Sequence, residues 1–221
     1  MSPHPLKSAR KGAPKGSAKS AVIFVHGYGA NGADLLALAD PLAPHLPDTA
    51  FYAPDASQAC PGVPNGYQWF PIPRMDGSSE KASHAGLLQA AEDLNGLIEM
   101  VMAEEGLEPA AIALVGFSQG TMLSLQVAPR RPAPLGALVG FSGRLLNPET
   151  LAEETVSKLP VFLIHGDADP VVPFEHLPEA DQAMKAAGFE FYGFACKGVG
   201  HSIDNEGLSL ALGFLQEMLP K

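Results

Sequence analysis

The stretch Ile112–Gly120, with the sequence IALVGFSQG, decides the fold of this chain. Its first four residues form an apolar run that predicts a buried strand, and residues 121–128 predict a helix. Between strand and helix, Gly116, Ser118 and Gly120 match the G-x-S-x-G pattern of a nucleophile elbow. The serine of such an elbow sits on a sharp, strained turn, and side chains at the flanking glycines would clash there. The stretch therefore predicts an exposed, reactive serine hydroxyl at the end of a strand.

Similar short runs, each bounded by Gly, Pro or Asp, predict further buried strands on both sides of this one. All six candidates, with the elbow's own strand included, are 21–26, 49–53, 111–115, 135–141, 161–165 and 190–194. Helices are predicted between them at 83–105, after Asn147-Pro148, up to about Gly188, and at 204–219. Strand–helix alternation indicates an α/β fold with a mostly parallel central sheet covered by helices on both faces.

One of these helices and one of the connecting segments stand out. In the helix predicted over 83–105, apolar residues recur at three- and four-residue spacing and should share one buried face. They are Leu87, Leu88, Ala91, Leu94, Ile98, Val101 and Met102. The stretch 54–82 is rich in Pro, Gly and Ser and holds the single Trp. Long loops of this kind in a compact domain are usually functional or mobile.

Charge divides the chain into two parts. The 221 residues carry a net charge of −10, yet residues 1–19 contain five basic residues and no acidic one. We expect residues 1–19 to be a flexible basic segment and residues 20–221 to be a single catalytic domain. The acidic body argues against a nucleic-acid partner, because such proteins usually present a basic face.

Several other classes of protein are not supported. The apolar runs are too short for a membrane anchor or a signal peptide. The two cysteines, Cys60 and Cys196, lie in unrelated segments and are expected to be reduced thiols in a cytoplasmic protein. His45, His84 and His176 have no partner at metal-ligand spacing, so no metal is expected. No phosphate-binding loop or dinucleotide motif occurs, so no cofactor is expected either.

A serine hydroxyl needs a base to remove its proton, and in this sheet architecture the acid and the histidine follow the serine along the chain. His201, in a glycine-rich loop after the last predicted strand, is the predicted general base. Asp169, after the strand at 161–165, is the predicted partner that orients the imidazole. By spacing alone Asp167 is an equal alternative, with turn capping as its other role. Asp204 is a weaker candidate and is expected to cap the last helix.

Acyl-transfer chemistry also needs two donors for the developing oxyanion. The first predicted donor is the backbone amide of Gln119, directly after the serine. The second is the amide of Tyr28, in the glycine-rich loop that follows the strand at 21–26. His26 is expected to brace that loop from inside the core, and His165 to be a buried residue with its hydrogen bonds satisfied.

Five motifs together resemble the phospholipase/carboxylesterase family of small α/β-hydrolases, which includes bacterial carboxylesterases and acyl-protein thioesterases. In chain order they are HGYG at 26–29, WFPI at 69–72, GFSQG at 116–120, HGDADPVVP at 165–173 and GH at 200–201. The resemblance covers roughly residues 19–219. It implies the α/β-hydrolase fold without a large lid domain, and a serine hydrolase that uses no cofactor.

The resemblance also implies roles for particular residues. It selects Asp169 over Asp167 as the acid, because the family's acid directly precedes a Pro-Val-Val-Pro-like segment. It supports Tyr28 as the second oxyanion donor, and it places Trp69 and Phe70 at the border of the acyl pocket. The sequence departs from the family pattern at Thr121, Tyr28, Pro71 and Ser202, where glycine, leucine, aspartate and glutamate are frequent. These departures leave the acyl-chain length open.

The function expected from these features is hydrolysis of short- to medium-chain carboxylic esters through an acyl-enzyme, with thioesters or lysophospholipids as related substrates. The expected partner is thus a small-molecule acyl ester or thioester, and a homodimer is an option because the family often forms dimers. Two alternatives remain open at this point. One is a serine peptidase with the same triad, and the other is a noncatalytic binding protein with a hydrolase fold.

Overall fold

The computed structural model describes residues 2–221. The strands are β1 (Ser8–Gly12), β2 (Ser20–Val25), β3 (Thr49–Pro54), β4 (Gln58–Ala59), β5 (Tyr67–Gln68), β6 (Ile112–Phe117), β7 (Ala137–Phe141), β8 (Val161–Gly166) and β9 (Phe191–Cys196). The α-helices are α1 (Gly32–Leu36), α2 (Ala39–Leu42), α3 (Pro73–Asp76), α4 (Glu80–Glu105), α5 (Gln119–Val127), α6 (Leu151–Glu154), α7 (His176–Ala186) and α8 (Asn205–Met218).

Seven strands form one sheet in the order β1-β3-β2-β6-β7-β8-β9. The pairs from β3 through β9 are all parallel, and only the edge pair of β1 with β3 is antiparallel. β4 and β5 form a separate two-stranded hairpin. The α/β-hydrolase fold with a mostly parallel sheet is therefore confirmed.

Alternate residues of the central strands pack on opposite faces of the sheet, as the pleat requires. Ile23 and Val25 belong to one core cluster, in which the sheet packs against α4, α5 and α7. Val22 and Phe24 belong to the other, formed with α1, α2 and α8. Both faces are thus covered, and the carboxyl ends of the parallel strands share one edge of the sheet, where the loops carry side chains toward each other.

Most of the predicted elements are present, with shifts of a few residues at their ends. The six predicted strands correspond to β2, β3, β6, β7, β8 and β9. The helix expected after Asn147-Pro148 is only the single turn α6, and α1 and α2 were not anticipated. On α4, Leu88 is 37% exposed, whereas Asp93 and Glu105 are buried. The apolar spacing could not reveal that two acidic side chains share the inner face of this helix.

The basic segment at 1–19 differs from the expected flexible tail. Residues 8–12 form β1, in register with residues 50–54 of β3. Four of the five basic side chains form ion pairs with the acidic body, and these pairs are Arg10–Glu105, Lys11–Asp40, Lys15–Glu104 and Lys19–Asp48. Attraction between a basic segment and an acidic domain explains why this segment is ordered, although its composition alone suggested a solvated tail.

Upstream of β1, the backbone N–H of His4 donates to Asp93 at 2.7 Å. The same carboxylate also accepts a hydrogen bond from Ser57 Oγ at 2.9 Å. The buried acid on α4 therefore ties down the residues that precede β1.

The Pro-, Gly- and Ser-rich stretch at 54–82 is not structureless. It contains the β4–β5 hairpin, the short helix α3 and the first turn of α4. Ser79 caps α4 by accepting a hydrogen bond from the backbone of Ala82. Across residues 2–221, no helix combines the length and the apolar character that a bilayer crossing demands.

Candidate active site

The predicted elbow is a sharp turn between β6 and α5. β6 ends at Phe117, Ser118 has φ 53° and ψ −114°, and α5 begins at Gln119. Positive φ is strained for a serine, and here the backbone N–H of Ser118 donates to Phe141 at 2.8 Å and helps to hold it. Gly120 is required by space, since a Cβ atom there would overlap the carbonyl oxygen of Val25. The turn pushes the hydroxyl out at the carboxyl edge of the sheet.

Ser118, His201 and Asp169 form one continuous chain of hydrogen bonds. His201 Nδ1 lies 2.7 Å from Asp169 Oδ2, and His201 Nε2 lies 3.0 Å from Ser118 Oγ. Because a carboxylate only accepts, Nδ1 carries the proton and Nε2 is free to accept from the serine hydroxyl. The imidazole packs on the ring of Phe117, with ring centroids 4.9 Å apart. Three side chains from three loops thus meet within hydrogen-bonding distance.

Asp169 is held in its ionised form by its surroundings. Its Oδ1 accepts hydrogen bonds from the backbone amides of Val171 at 2.8 Å and Val172 at 2.9 Å. Burial alone would raise the pKa of this carboxyl, but the hydrogen bond from His201 and the two amides outweigh burial and hold it below the ordinary value. A charged, fixed carboxylate therefore faces Nδ1 of the imidazole.

The two other carboxylates that the sequence offered lie elsewhere. Asp167 is exposed, and its Oδ1 accepts a hydrogen bond from the backbone N–H of Gly198 at 2.6 Å. It braces the start of the loop that carries His201. Asp204 caps α8 by accepting from Gly207, as expected from its position. The geometry therefore distinguishes Asp169, which faces His201, from Asp167 and Asp204, which spacing along the sequence could not do.

The buried histidines His26 and His165 support the loops around the site. His26 Nδ1–H donates to Gly27 at 2.8 Å while Nε2 accepts from the N–H of Ala56 at 3.1 Å. His165 Nε2–H donates to the carbonyl of Val172 at 2.9 Å. Burial lowers the pKa of both imidazoles, so both are neutral braces. This agrees with the roles expected for them.

The amides of Tyr28 and Gln119 are both free to donate. Among residues 2–221, neither N–H donates to another protein group, whereas the neighbouring N–H of Gly29 donates to Tyr67 at 2.8 Å. Gln119 is the first residue of α5, so its N–H has no partner within the helix. The phenol of Tyr28 is neutral, because burial and the neighbouring Cys60 raise its pKa to about 12.

Trp69 does not have the position that the resemblance implied. It is 1% exposed, and its indole N–H donates to the carbonyl of His26 at 2.8 Å. The ring packs against His26 at a tilt of 32°, with centroids 5.1 Å apart. Trp69 therefore supports the loop that carries Tyr28 from behind. Of the two predicted pocket residues, only Phe70 lines the adjacent cavity.

A cavity of about 510 Å³ lies beside the elbow, next to the first turns of α4 and α5. Its apolar wall consists of Phe70, Ile72, Leu87, Met122, Leu146 and Val172. Its ionisable side chains are Arg74, Arg144, Glu80, His84 and His176. Sequence reasoning missed most of these residues. Met122 could have been found, because it lies one helical turn after Ser118 and so faces the same side.

Among residues 2–221, no cluster of His, Cys, Asp and Glu has the arrangement of a metal site. Cys60 and Cys196 are both buried and free. Burial and the carboxylate of Asp204 raise the pKa of Cys196 to about 12, so that thiol stays protonated.

A mostly parallel sheet, with a serine elbow after one strand and a histidine and an acid after later strands, defines the α/β-hydrolase class. Within that class the chain belongs to the phospholipase/carboxylesterase family, whose model matches residues 8–219. The match begins at β1, which agrees with the inclusion of that strand in the sheet.

Named relatives are esterases and thioesterases. The chain is 28% identical to the esterase YpfH of Escherichia coli K12, over 94% of this chain and 87% of that protein. It is also 28% identical to acyl-protein thioesterase 1 of Debaryomyces hansenii, over 98% of each. Among solved structures, esterase PE8 is 41% identical, with a TM-score of 0.91 over 98% of this chain and 100% of that one.

Proposed function

We propose that this protein is a serine carboxylesterase that hydrolyses short- to medium-chain carboxylic esters through an acyl-enzyme intermediate. The observation that carries the proposal is the continuous hydrogen-bond chain from Ser118 Oγ through His201 to Asp169, with distances of 3.0 and 2.7 Å. This arrangement suits nucleophilic attack by a serine, because the base and the group that orients it are already in place. The esterases among its relatives support the same reaction class.

In the proposed reaction, Ser118 Oγ attacks the ester carbonyl carbon while its proton passes to His201 Nε2. Asp169 keeps Nδ1 protonated and stabilises the imidazolium that forms. The carbonyl oxygen becomes negative and is stabilised by the two free amides of Tyr28 and Gln119, each of which is worth about 3 kcal/mol of barrier. The imidazolium then donates its proton to the departing alcohol, and the acyl group stays on Ser118.

Water, activated by the neutral His201, releases the acid and restores the serine. The backbone strain at Ser118 suits both steps, since it holds the hydroxyl in one position at the carboxyl edge of the sheet.

The cavity beside the elbow supports an acyl chain of several carbons as the substrate group. Its apolar wall can take methylene groups, and its volume of about 510 Å³ lies within the range typical of small-molecule sites, about 300–1,000 Å³. Thioesters are a second substrate class, favoured by the thioesterase relative that matches nearly the full chain. We also place the protein in a reducing, cytoplasmic compartment, which its two free thiols support.

The experiment that tests this proposal compares three proteins: the wild type, Ser118→Ala and Ser209→Ala. Ser209 is exposed on α8 and provides a matched control. We expect turnover of 4-nitrophenyl butyrate, and labelling by a fluorophosphonate probe, in the wild type and the control. Both should be lost in Ser118→Ala, with unchanged folding by circular dichroism. Full turnover by the folded Ser118→Ala protein would refute the nucleophile, and cleavage of peptide amides alone would favour a peptidase.

A further inference from the structure

The arginines of this chain fall into two groups. Three of the five bind carboxylates, in the pairs Arg10–Glu105, Arg130–Glu154 and Arg131–Glu99. The other two, Arg74 and Arg144, have no carboxylate within 4.0 Å anywhere in residues 2–221. Both of these arginines line the cavity beside Ser118. In a protein with a net charge of −10, two unpaired guanidinium groups at one site are unexpected.

Each of the two arginines is tied closely to the elbow or to the acid loop. Arg144 follows Gly143, where a Cβ atom would lie 3.1 Å from the carbonyl oxygen of Ser118. Its backbone therefore runs beside the nucleophile. Arg74 donates from Nη2 to the carbonyl of Val171 at 3.2 Å, two residues beyond Asp169. The two guanidinium groups thus belong to loops that border the reactive serine.

Among residues 2–221, the one acidic side chain that lines the cavity is Glu80, so a single carboxylate faces two guanidinium groups. Glu80 is the first residue of α4, where the helix N-terminus stabilises its carboxylate, and it pairs with neither arginine. His176 Nδ1 lies 2.8 Å from Glu179 and is occupied by that contact. The cavity therefore combines an apolar wall with two available guanidinium groups. That combination suits a ligand that has a hydrocarbon chain and an anionic end.

We propose that the cavity selects esters whose acyl chain ends in a carboxylate, that is, half-esters of linear dicarboxylic acids, and that Arg74 and Arg144 are the residues that determine this specificity. The inference rests on the proposed esterase function and adds a substrate class to it. The methylene groups lie against the apolar wall formed by Phe70, Leu87 and Met122. The terminal carboxylate accepts hydrogen bonds from the guanidinium groups at the mouth, where both arginines are exposed.

The test compares two esters of equal chain length, 4-nitrophenyl hexanoate and 4-nitrophenyl hydrogen adipate. The proteins are the wild type, Arg74→Gln, Arg144→Gln, the double variant and Arg130→Gln, whose arginine lies outside the cavity and pairs with Glu154. The Ser118→Ala protein serves as the blank, because a terminal carboxylate can attack its own ester. We expect kcat/KM for the adipate ester to fall about threefold in each single variant and about tenfold in the double variant.

The loss should appear mainly in KM and should shrink in high salt, because exposed charges are screened. Hexanoate turnover should stay within about twofold in every arginine variant, since a neutral chain end leaves no charge for the guanidinium groups to bind. An equal change for both esters, or no change for either, would overturn the specificity role. Failure of the proposed function looks different: either the wild type would turn over neither ester, or Ser118→Ala would retain turnover of both.

A second pair of substrates locates the anion. One outcome is that the double substitution lowers kcat/KM for 4-carboxyphenyl hexanoate more than for phenyl hexanoate, yet lowers it equally for the adipate and hexanoate esters. In that case the anion belongs to the leaving group. That outcome would overturn the assignment to dicarboxylic half-esters.

Discussion

Gln119 Oε1 accepts a hydrogen bond from the backbone N–H of Trp69 at 2.9 Å. The same side chain donates through Nε2 to the carbonyl of Phe70 at 2.7 Å. The residue that follows Ser118 therefore holds the segment that forms one wall of the cavity. Its own N–H is a proposed oxyanion donor, so one residue couples the reacting carbonyl to the substrate pocket.

Replacing Gln119 with Ala should therefore lower both stability and activity. The backbone N–H of Trp69 and the carbonyl of Phe70 would be left buried without partners, which costs about 2–4 kcal/mol for the pair. Urea unfolding measures this loss, and ester hydrolysis should show a lower kcat. Gln126→Ala is the control, because Gln126 lies on the same helix and its side chain makes no hydrogen bond in residues 2–221. Equal stability of the two variants would contradict the bridging role.

The two aspartates of the acid loop give a second prediction. Asp169→Asn should lower kcat for ester hydrolysis by about 10⁴-fold, because an amide can hold the imidazole in the wrong tautomer and cannot stabilise its cation. Asp167→Asn should leave kcat within a few fold, since within residues 2–221 the Asp167 side chain makes a single hydrogen bond, which it accepts from the backbone of Gly198. Steady-state kinetics with one activated ester measures both variants. A larger loss from Asp167→Asn would reverse the assignment.

Sequence reasoning located the central strands and the elbow because both depend on local pattern. Buried parallel strands are continuous apolar runs. The elbow needs Gly116 and Gly120 because a Cβ atom at either position would overlap the backbone, and this requirement is visible in the five-residue motif. Which of Asp167 and Asp169 faces His201 depends instead on the direction of a side chain in a short turn. Spacing carries no information about that direction, so only the family resemblance favoured Asp169.

The edge strand β1 and the buried acids on α4 could not be predicted in the same way. The sequence of β1, SARKG, has no apolar alternation, because it lies at the sheet edge and is held by charge as well as by backbone pairing. Glu105 gives no sign of burial in a helical pattern built on apolar residues. Glu105 is buried because it pairs with Arg10 of β1, and β1 is held at the sheet edge partly by that pair. The two residues are far apart in the sequence, so only the three-dimensional structure shows that they meet.

Gly120 and Gly213 should respond in opposite ways to alanine. A Cβ atom at Gly120 would overlap the carbonyl of Val25, so Gly120→Ala should destabilise the fold by about 3 kcal/mol and disturb the elbow. Gly213 lies exposed inside α8, and apart from the backbone of its own helix no atom of residues 2–221 comes within 4 Å of its Cβ position. Gly213→Ala should therefore stabilise by about 0.5–1 kcal/mol. Thermal unfolding and kcat for ester hydrolysis measure both. Similar effects at both positions would show that backbone space is not what requires Gly120.

The carboxylate of Glu105 should make a pH-dependent contribution to stability. It accepts hydrogen bonds from Arg10 Nε at 2.7 Å and from the backbone N–H of Gly16 at 2.8 Å. Burial alone would raise the pKa of Glu105, but the hydrogen bonds from Arg10, Tyr52 and Gly16 outweigh burial and hold it below its ordinary value. Glu105→Gln should therefore lower the free energy of unfolding by about 2 kcal/mol at pH 7.

Because the pKa is lower in the folded state, this stabilisation is fully present above the unfolded pKa, about 4.3, and is lost as pH falls through the folded value. The difference between wild type and Glu105→Gln should thus be constant from pH 8 to 6 and shrink toward pH 3. Glu104→Gln is the control, because the pair of Glu104 with the exposed Lys15 should contribute less than about 1 kcal/mol. Urea unfolding at each pH gives the free energies. A difference that grows with acid would mean that the pKa of Glu105 is raised rather than lowered in the folded protein.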